Sequence, residues 1–179
     1  MKISQYVTLF DTCVLAPMPV VDTILRLAEE PAFYVPKWST HIIQELEKIL
    51  VEKFKFSKDQ VDRRIRSMEL AFPSARVTGY DGLIDSMTND LKDRHVLAAA
   101  VKCGAHSIVT DNVRHFPLES LDLKLDFRIL SIRVLNRIFS EIFAPLSHSY
   151  DEETDGYEWE SDLTETAYLY KRRLPERAN

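Results

Sequence analysis

NDLKDRHVLAAAVKCGAHSIVTDN, residues 89–112, sets a helix and a strand back to back. Asp90 is suited to cap a helix over 91–103, which puts Asp93 at its third position, ahead of the apolar run VLAAAV. Gly104 then ends the helix as a C-terminal cap. HSIVT at 106–110 is a short continuous apolar run of the kind that forms a buried strand. The chain turns polar at once with Asp111 and Asn112. A helix that passes through one glycine into a buried strand predicts an α/β unit.

The same alternation extends outward on both sides. Residues 5–10 read as a strand that stops at Asp11, followed by Thr12 and Cys13. A short helix is predicted over 20–29, a strand at FYVP (33–36), and a helix capped by Ser39 or Thr40 with Ile42, Ile43, Leu46, Ile49 and Leu50 on its apolar side. SKDQ at 57–60 has the form of a capping box and opens a helix carrying Val61, Ile65 and Met68. ARVTGYDG (75–82) reads as a short strand and turn, FRILS (127–131) as a strand, and 133–143 as a helix. Strands and helices alternating at this spacing predict a three-layer α/β/α sandwich around a mostly parallel sheet. The expected division is a domain over 1–147 and, over 148–179, an acidic linker with a helical extension from 157 to 173.

Composition narrows the class. The 179 residues include no apolar run near the ~18 of a membrane span, and the N-terminus lacks the apolar core of a secretory signal. Cys13 and Cys103 are the only cysteines and read as reduced thiols, and no closely spaced His or Cys set suggests zinc. A soluble cytoplasmic domain is the expectation. The net charge of −5 comes entirely from residues 151–179, while 1–150 carry 19 acids and 19 bases. Within that balance Lys48, Lys53, Lys55, Lys58, Arg63, Arg64 and Arg66 crowd one helix–helix corner. The corner reads either as a solvated surface or as a rim facing phosphates.

Four acids stand where a parallel sheet presents its ligands. Asp11 and Asp111 follow strands, so both belong to the carboxyl edge of the sheet. Glu45 lies at the margin of an apolar helix stripe, and Asp93 in the first turn of a helix, where the dipole favours acids in any case. Dehydrating one carboxylate is costly, and several together raise one another's pKa unless a cation sits among them. Magnesium or manganese suits such oxygen donors. Four ungrouped glycines argue against a phosphate-cradling loop or a dinucleotide fold. A phosphatase of the aspartyl type would want a second aspartate where Cys13 stands, and a hydrolase using Cys13 with His95 or His106 lacks a nucleophile elbow.

In order, FDTCVL, the helix STHIIQELEKIL bearing Glu45, DRHVLAAAVKCGA and SIVTDN with its HFP tail resemble the PIN domain over roughly residues 5–140, in particular its bacterial VapC-like toxin branch. The resemblance implies a ribonuclease using Mg²⁺ or Mn²⁺ and leaving 5′-phosphate and 3′-hydroxyl ends. It assigns Asp11, Glu45 and Asp93 to the first three acidic positions. The fourth falls on Asp111 or Asn112, and His115 stands where relatives often carry another aspartate. Thr12 and Thr110 match small polar residues that orient the site. Arg94 would clamp the substrate, with Lys53, Lys55, Arg63 and Arg64 along the RNA backbone. A type II toxin implies a cognate antitoxin and a homodimer. The altered fourth position keeps open an RNA- or protein-binding PIN fold without chemistry. Tyr80, Phe54, Phe56, Trp38 and Trp159 read as partner surface or as core.

Overall fold

The computed structural model describes residues 6–29, 32–120 and 128–131. Five short strands form one sheet: β1 (Val7–Phe10), β2 (Val35–Ser39), β3 (Arg76–Val77), β4 (Ser107–Thr110) and β5 (Arg128–Ser131). Their order is β3-β2-β1-β4-β5, and every neighbouring pair is parallel. The expected mostly parallel sheet is therefore wholly parallel among the described strands. Helices α1 (Thr12–Leu15), α2 (Met18–Ala28), α3 (Thr40–Glu52), α4 (Lys58–Ala71) and α5 (Arg94–Cys103) flank it.

Burial on both faces explains the strand sequences. All four residues of β4 are buried, as are Thr8, Leu9 and Phe10 of β1, so these two strands form the middle of the core. Trp38, Ile42, Ile43, Leu46 and Leu50 pack from β2 and α3, and Val61, Ile65 and Met68 from α4. Each large apolar side chain fully buried contributes roughly 1.5–3 kcal/mol. Ala98, Ala99 and Ala100 of α5 are completely buried, and their small size brings this helix close to its neighbours. Trp38 and Tyr80 both belong to this core, which removes them as partner surfaces; Phe54 is exposed and Phe56 half-buried.

The boundaries depart from the sequence expectation in informative ways. The second strand lies at 35–39 rather than 33–36, because Val35 pairs with Val7 and carries the register onward to Lys37. Thr12–Leu15 forms a one-turn helix directly after β1, a stretch to which the sequence pattern assigned no element. The capping box at Ser57 and Gln60 forms in full, with both reciprocal bonds present. Gly104 adopts the left-handed conformation, φ 61°, and closes α5 as expected. The helices expected over 133–143 and 157–173, and the linker at 148–156, lie outside the described residues, as does Trp159.

The chain leaves β1 toward β2 on one side and leaves β4 toward β5 on the other. The carboxyl ends of β1 and β4 thus border the point where the winding reverses, the usual crevice of an open parallel sheet. Asp11 and Asp111 are the residues that follow these two strands.

Candidate metal-dependent active site

The β1–β4 register pairs Phe10 with Val109, which sets Asp11 beside Thr110. Asp11 is only 4% exposed, yet its carboxylate is well served. Oδ1 accepts from the Thr12 backbone N–H at 2.6 Å, and Oδ2 accepts from Thr110 Oγ1 at 2.6 Å and from Cys13 Sγ at 3.4 Å. The Asp11 backbone also caps α1, since its carbonyl accepts from Val14 and Leu15. Burial pushes the Asp11 carboxyl above its ordinary value of 3.8; the three donors oppose this, and the nearby Asp93 charge adds to it. A buried carboxyl with that tendency is one a cation would hold ionised.

Thr12 and His95 grip Glu45 from two sides. Thr12 Oγ1 donates to Glu45 Oε2 at 2.6 Å, and His95 Nε2 stands 3.2 Å from Glu45 Oε1. Burial alone would raise the Glu45 pKa, but His95 and Thr12 outweigh it and hold the carboxyl below 4.5. The reciprocal effect keeps His95 protonated above its ordinary 6.5, although burial alone would lower it. The Asp11 and Asp93 charges add smaller contributions in the same direction.

Asp93 occupies a different local setting from the one its spacing suggested. Asp90 caps a separate 3₁₀ turn, Leu91–Asp93, by accepting from the Lys92 N–H at 3.1 Å. The α-helix begins only at Arg94, with Asp93 as its N-cap residue and no side-chain capping bond. Asp93 Oδ2 instead meets His115 Nδ1 at 2.6 Å. The Asp90 N–H donates to the His115 carbonyl at 3.2 Å and ties this turn to a second one, Val113–His115. One ligand atom each from Asp90, Asp93 and His115 lies within 4.8 Å of the others. Among the described residues this is the group of three or more such side chains able to hold a metal ion, and it contains neither Asp11 nor Glu45. Two carboxylates and an imidazole form a donor set compatible with a divalent cation.

The remaining candidates divide by location. Asp111 is exposed, and its N–H donates to Cys13 Sγ at 3.3 Å. Asn112 is half-buried and donates its N–H to Thr110 Oγ1 at 3.0 Å. Arg94 reaches the Asn89 carbonyl at 3.4 Å, beside the acids. Lys53, Lys55 and Arg63 are exposed at the α3–α4 corner. Arg64 is turned inward: its Nη2 donates to Leu15 O at 2.6 Å and Ala16 O at 3.1 Å, closing the C-terminal end of α1. Cys13 is a poor nucleophile, because burial and the Asp11 charge push its thiol to about 11.

Spacing gave no warning of His95. It sits two residues after Asp93 on the helix, but only the fold brings it to Glu45, fifty positions earlier. Asp90 looked like a cap alone. The HFP tail had already marked His115 as a replacement at an acidic position, and that was the available signal.

A sequence model of the PIN domain family matches residues 7–114, well over half the chain. The chain belongs to the PIN domain family. The chain is also 58% identical over 43 residues to a protein of Mycobacterium tuberculosis (strain ATCC 25618 / H37Rv) named Putative ribonuclease VapC50. That stretch covers 24% of this chain and 25% of the relative. No helix among the described residues of this PIN protein is long and apolar enough to cross a membrane.

Proposed function

We propose that this PIN domain is a Mg²⁺- or Mn²⁺-dependent endoribonuclease and the toxin of a type II toxin–antitoxin pair. The observation that carries the reading is the buried Asp11 at the switch point of the sheet, with the next residue, Thr12, bonded to Glu45 at 2.6 Å. The name of the mycobacterial relative supports the same direction. Asp11, Glu45 and Asp93 are the residues that would hold the ion, with Asp90 and His115 close enough to join Asp93. Asp111 or Asn112 would complete the set from the end of β4. A bound divalent ion supplies an acidified water and neutralises charge on the phosphate oxygens.

The chain's own groups do the remaining work. Thr110 and Thr12 hold the Asp11 and Glu45 carboxylates in fixed orientations, so little reorganisation is needed when substrate arrives. Arg94, at the rim beside Asp93, would clamp a phosphate. Lys53, Lys55 and Arg63 would track the RNA backbone, which gives affinity without sequence choice. Arg64 is committed to the α1 carbonyls and fits the substrate role poorly. An antitoxin and a second toxin copy are the partners this reading implies.

The test is cleavage of an unstructured RNA by wild type and Asp11→Asn, with and without Mn²⁺. Cleavage that needs the ion and disappears in Asp11→Asn supports the enzyme. Equal cleavage by both proteins overturns it. Ion-independent RNA binding without cleavage by either would point to the non-catalytic binding module instead, a reading favoured by the separation of Asp11 and Glu45 from the Asp90–Asp93–His115 group.

A further inference from the structure

Tyr80, His41 and His95 form a line of contacts that ends on Glu45. Tyr80 is 2% exposed, and its hydroxyl bonds to His41 twice: it accepts from the His41 N–H at 3.2 Å and lies 2.7 Å from His41 Nδ1. With one lone pair taken by the backbone, the hydroxyl proton is free to point at Nδ1. That fixes the His41 ring at the start of α3. The His41 ring in turn meets the His95 ring edge to face, with centroids 5.4 Å apart and planes inclined by 60°. His95 is pinned between this ring and Glu45 Oε1 at 3.2 Å, with its side chain 13% exposed.

Glu45 needs such support more than Asp11 does. Asp11 is locked by its neighbours on α1 and β4, whereas Glu45 has three rotatable bonds and a side chain still 46% exposed. Thr12 takes Oε2 and leaves Oε1 free to swing unless a second donor holds it. Among the described residues neither ring nitrogen of His95 has an aligned hydrogen-bond partner, so the ion-pair contact of Nε2 with Glu45 Oε1 at 3.2 Å is the polar anchor of this ring. Ordering a rotamer-rich side chain beforehand removes an entropy cost from every later binding event.

We infer that His95 is a positioning residue: buttressed by His41 and Tyr80, it fixes the Glu45 carboxylate in the orientation that receives a divalent cation. The inference rests on the nuclease reading of Glu45 and adds three aromatic residues to that site. Their function is to hold a metal-facing carboxylate still, as outer partners of ligands do in metal centres generally.

The experiment measures Mn²⁺ binding from the electron paramagnetic resonance signal of the free ion, alongside RNA cleavage kinetics. It compares wild type with Glu45→Gln, His95→Ala, His95→Leu, His95→Gln and Tyr80→Phe. His95→Ala and His95→Leu, which both lack the donor, should weaken Mn²⁺ binding about 10–100-fold and lower kcat while leaving KM for RNA unchanged. His95→Gln, whose amide nitrogen can replace Nε2, should recover most of the loss. Tyr80→Phe should give a smaller loss of the same kind. Wild-type Mn²⁺ affinity in whichever donor-free variant folds overturns the inference, as does an equal loss with glutamine. If Glu45→Gln weakens binding while the His95 variants do not, the nuclease reading stands and this inference falls. Wild-type binding and cleavage in Glu45→Gln overturns both.

Discussion

Thr12 Oγ1 lies 2.6 Å from Glu45 Oε2, so the residue after the first candidate acid holds the second. The contact joins α1 to α3 across 33 positions of sequence, and Thr12 is almost fully buried. Thr12→Val keeps the shape and removes the donor. It should lower stability in urea unfolding by about 1 kcal/mol, the net worth of one hydrogen bond beside a partly hydrated carboxylate. RNA cleavage should fall further than stability does. Thr12→Ser should restore both, and a valine variant with full activity would show that Glu45 needs no such anchor.

His115 takes a place beside Asp93 that gives the group a nitrogen donor. Imidazole suits manganese better than magnesium, which prefers oxygen. Thermal melting of wild type should therefore rise more with Mn²⁺ than with Mg²⁺ at equal concentration. His115→Asp, which makes the set all oxygen, should shift the preference toward Mg²⁺. An unchanged order of the two ions would place His115 outside the coordination set.

The Glu45–His95 pair sets a pH window for the metal-free protein. His95 is raised above 6.5, so its contribution is complete below 6.5 and is lost as pH rises through the higher folded value. Glu45 is lowered below 4.5, so its contribution is complete above 4.5 and is lost as pH falls through the lower folded value. The pair supports the fold fully between 4.5 and 6.5. Urea midpoints measured with a chelator should decline above pH 6.5, and Glu45→Gln should flatten that decline. Asp11 works in the opposite sense at the acid end, because its raised carboxyl favours the folded state below 3.8 and withdraws that help as it ionises.

Arg63 and Arg64 are adjacent and should behave differently. Arg64 closes the carbonyls of Leu15 and Ala16, and burial lowers its pKa. Arg64→Leu leaves those carbonyls without their charged donor and should cost about 1–3 kcal/mol of stability. Exposed Arg63 should leave stability unchanged when replaced by alanine, but reduce the salt slope of RNA binding by about 0.7, the value of one phosphate contact on a single strand. Equal salt slopes for wild type and Arg63→Ala would remove the α3–α4 corner from the RNA path.

The elements most legible in sequence were those whose signal is local. The Ser57–Gln60 capping box and the Gly104 cap each depend on a few adjacent residues, and each formed as read. The strand SIVT was equally plain, since burial on both faces demands an unbroken apolar run. Asp93 shows where local reading stops. Three residues after a capping aspartate normally lie inside the helix, but the backbone bond from Asp90 to His115 holds a 3₁₀ turn there and delays the helix to Arg94.

Periodicity and punctuation determined an α/β fold, a parallel sheet, and acids at the ends of β1 and β4, because each of these follows from chain-neighbour chemistry. Tertiary structure alone decided who serves those acids. Thr12 reaching Glu45, His95 gripping its other oxygen, Arg64 turning inward and His115 meeting Asp93 are contacts between residues 22 to 50 positions apart. Such pairings depend on strand order and register, which place side chains within hydrogen-bond range irrespective of their distance along the chain.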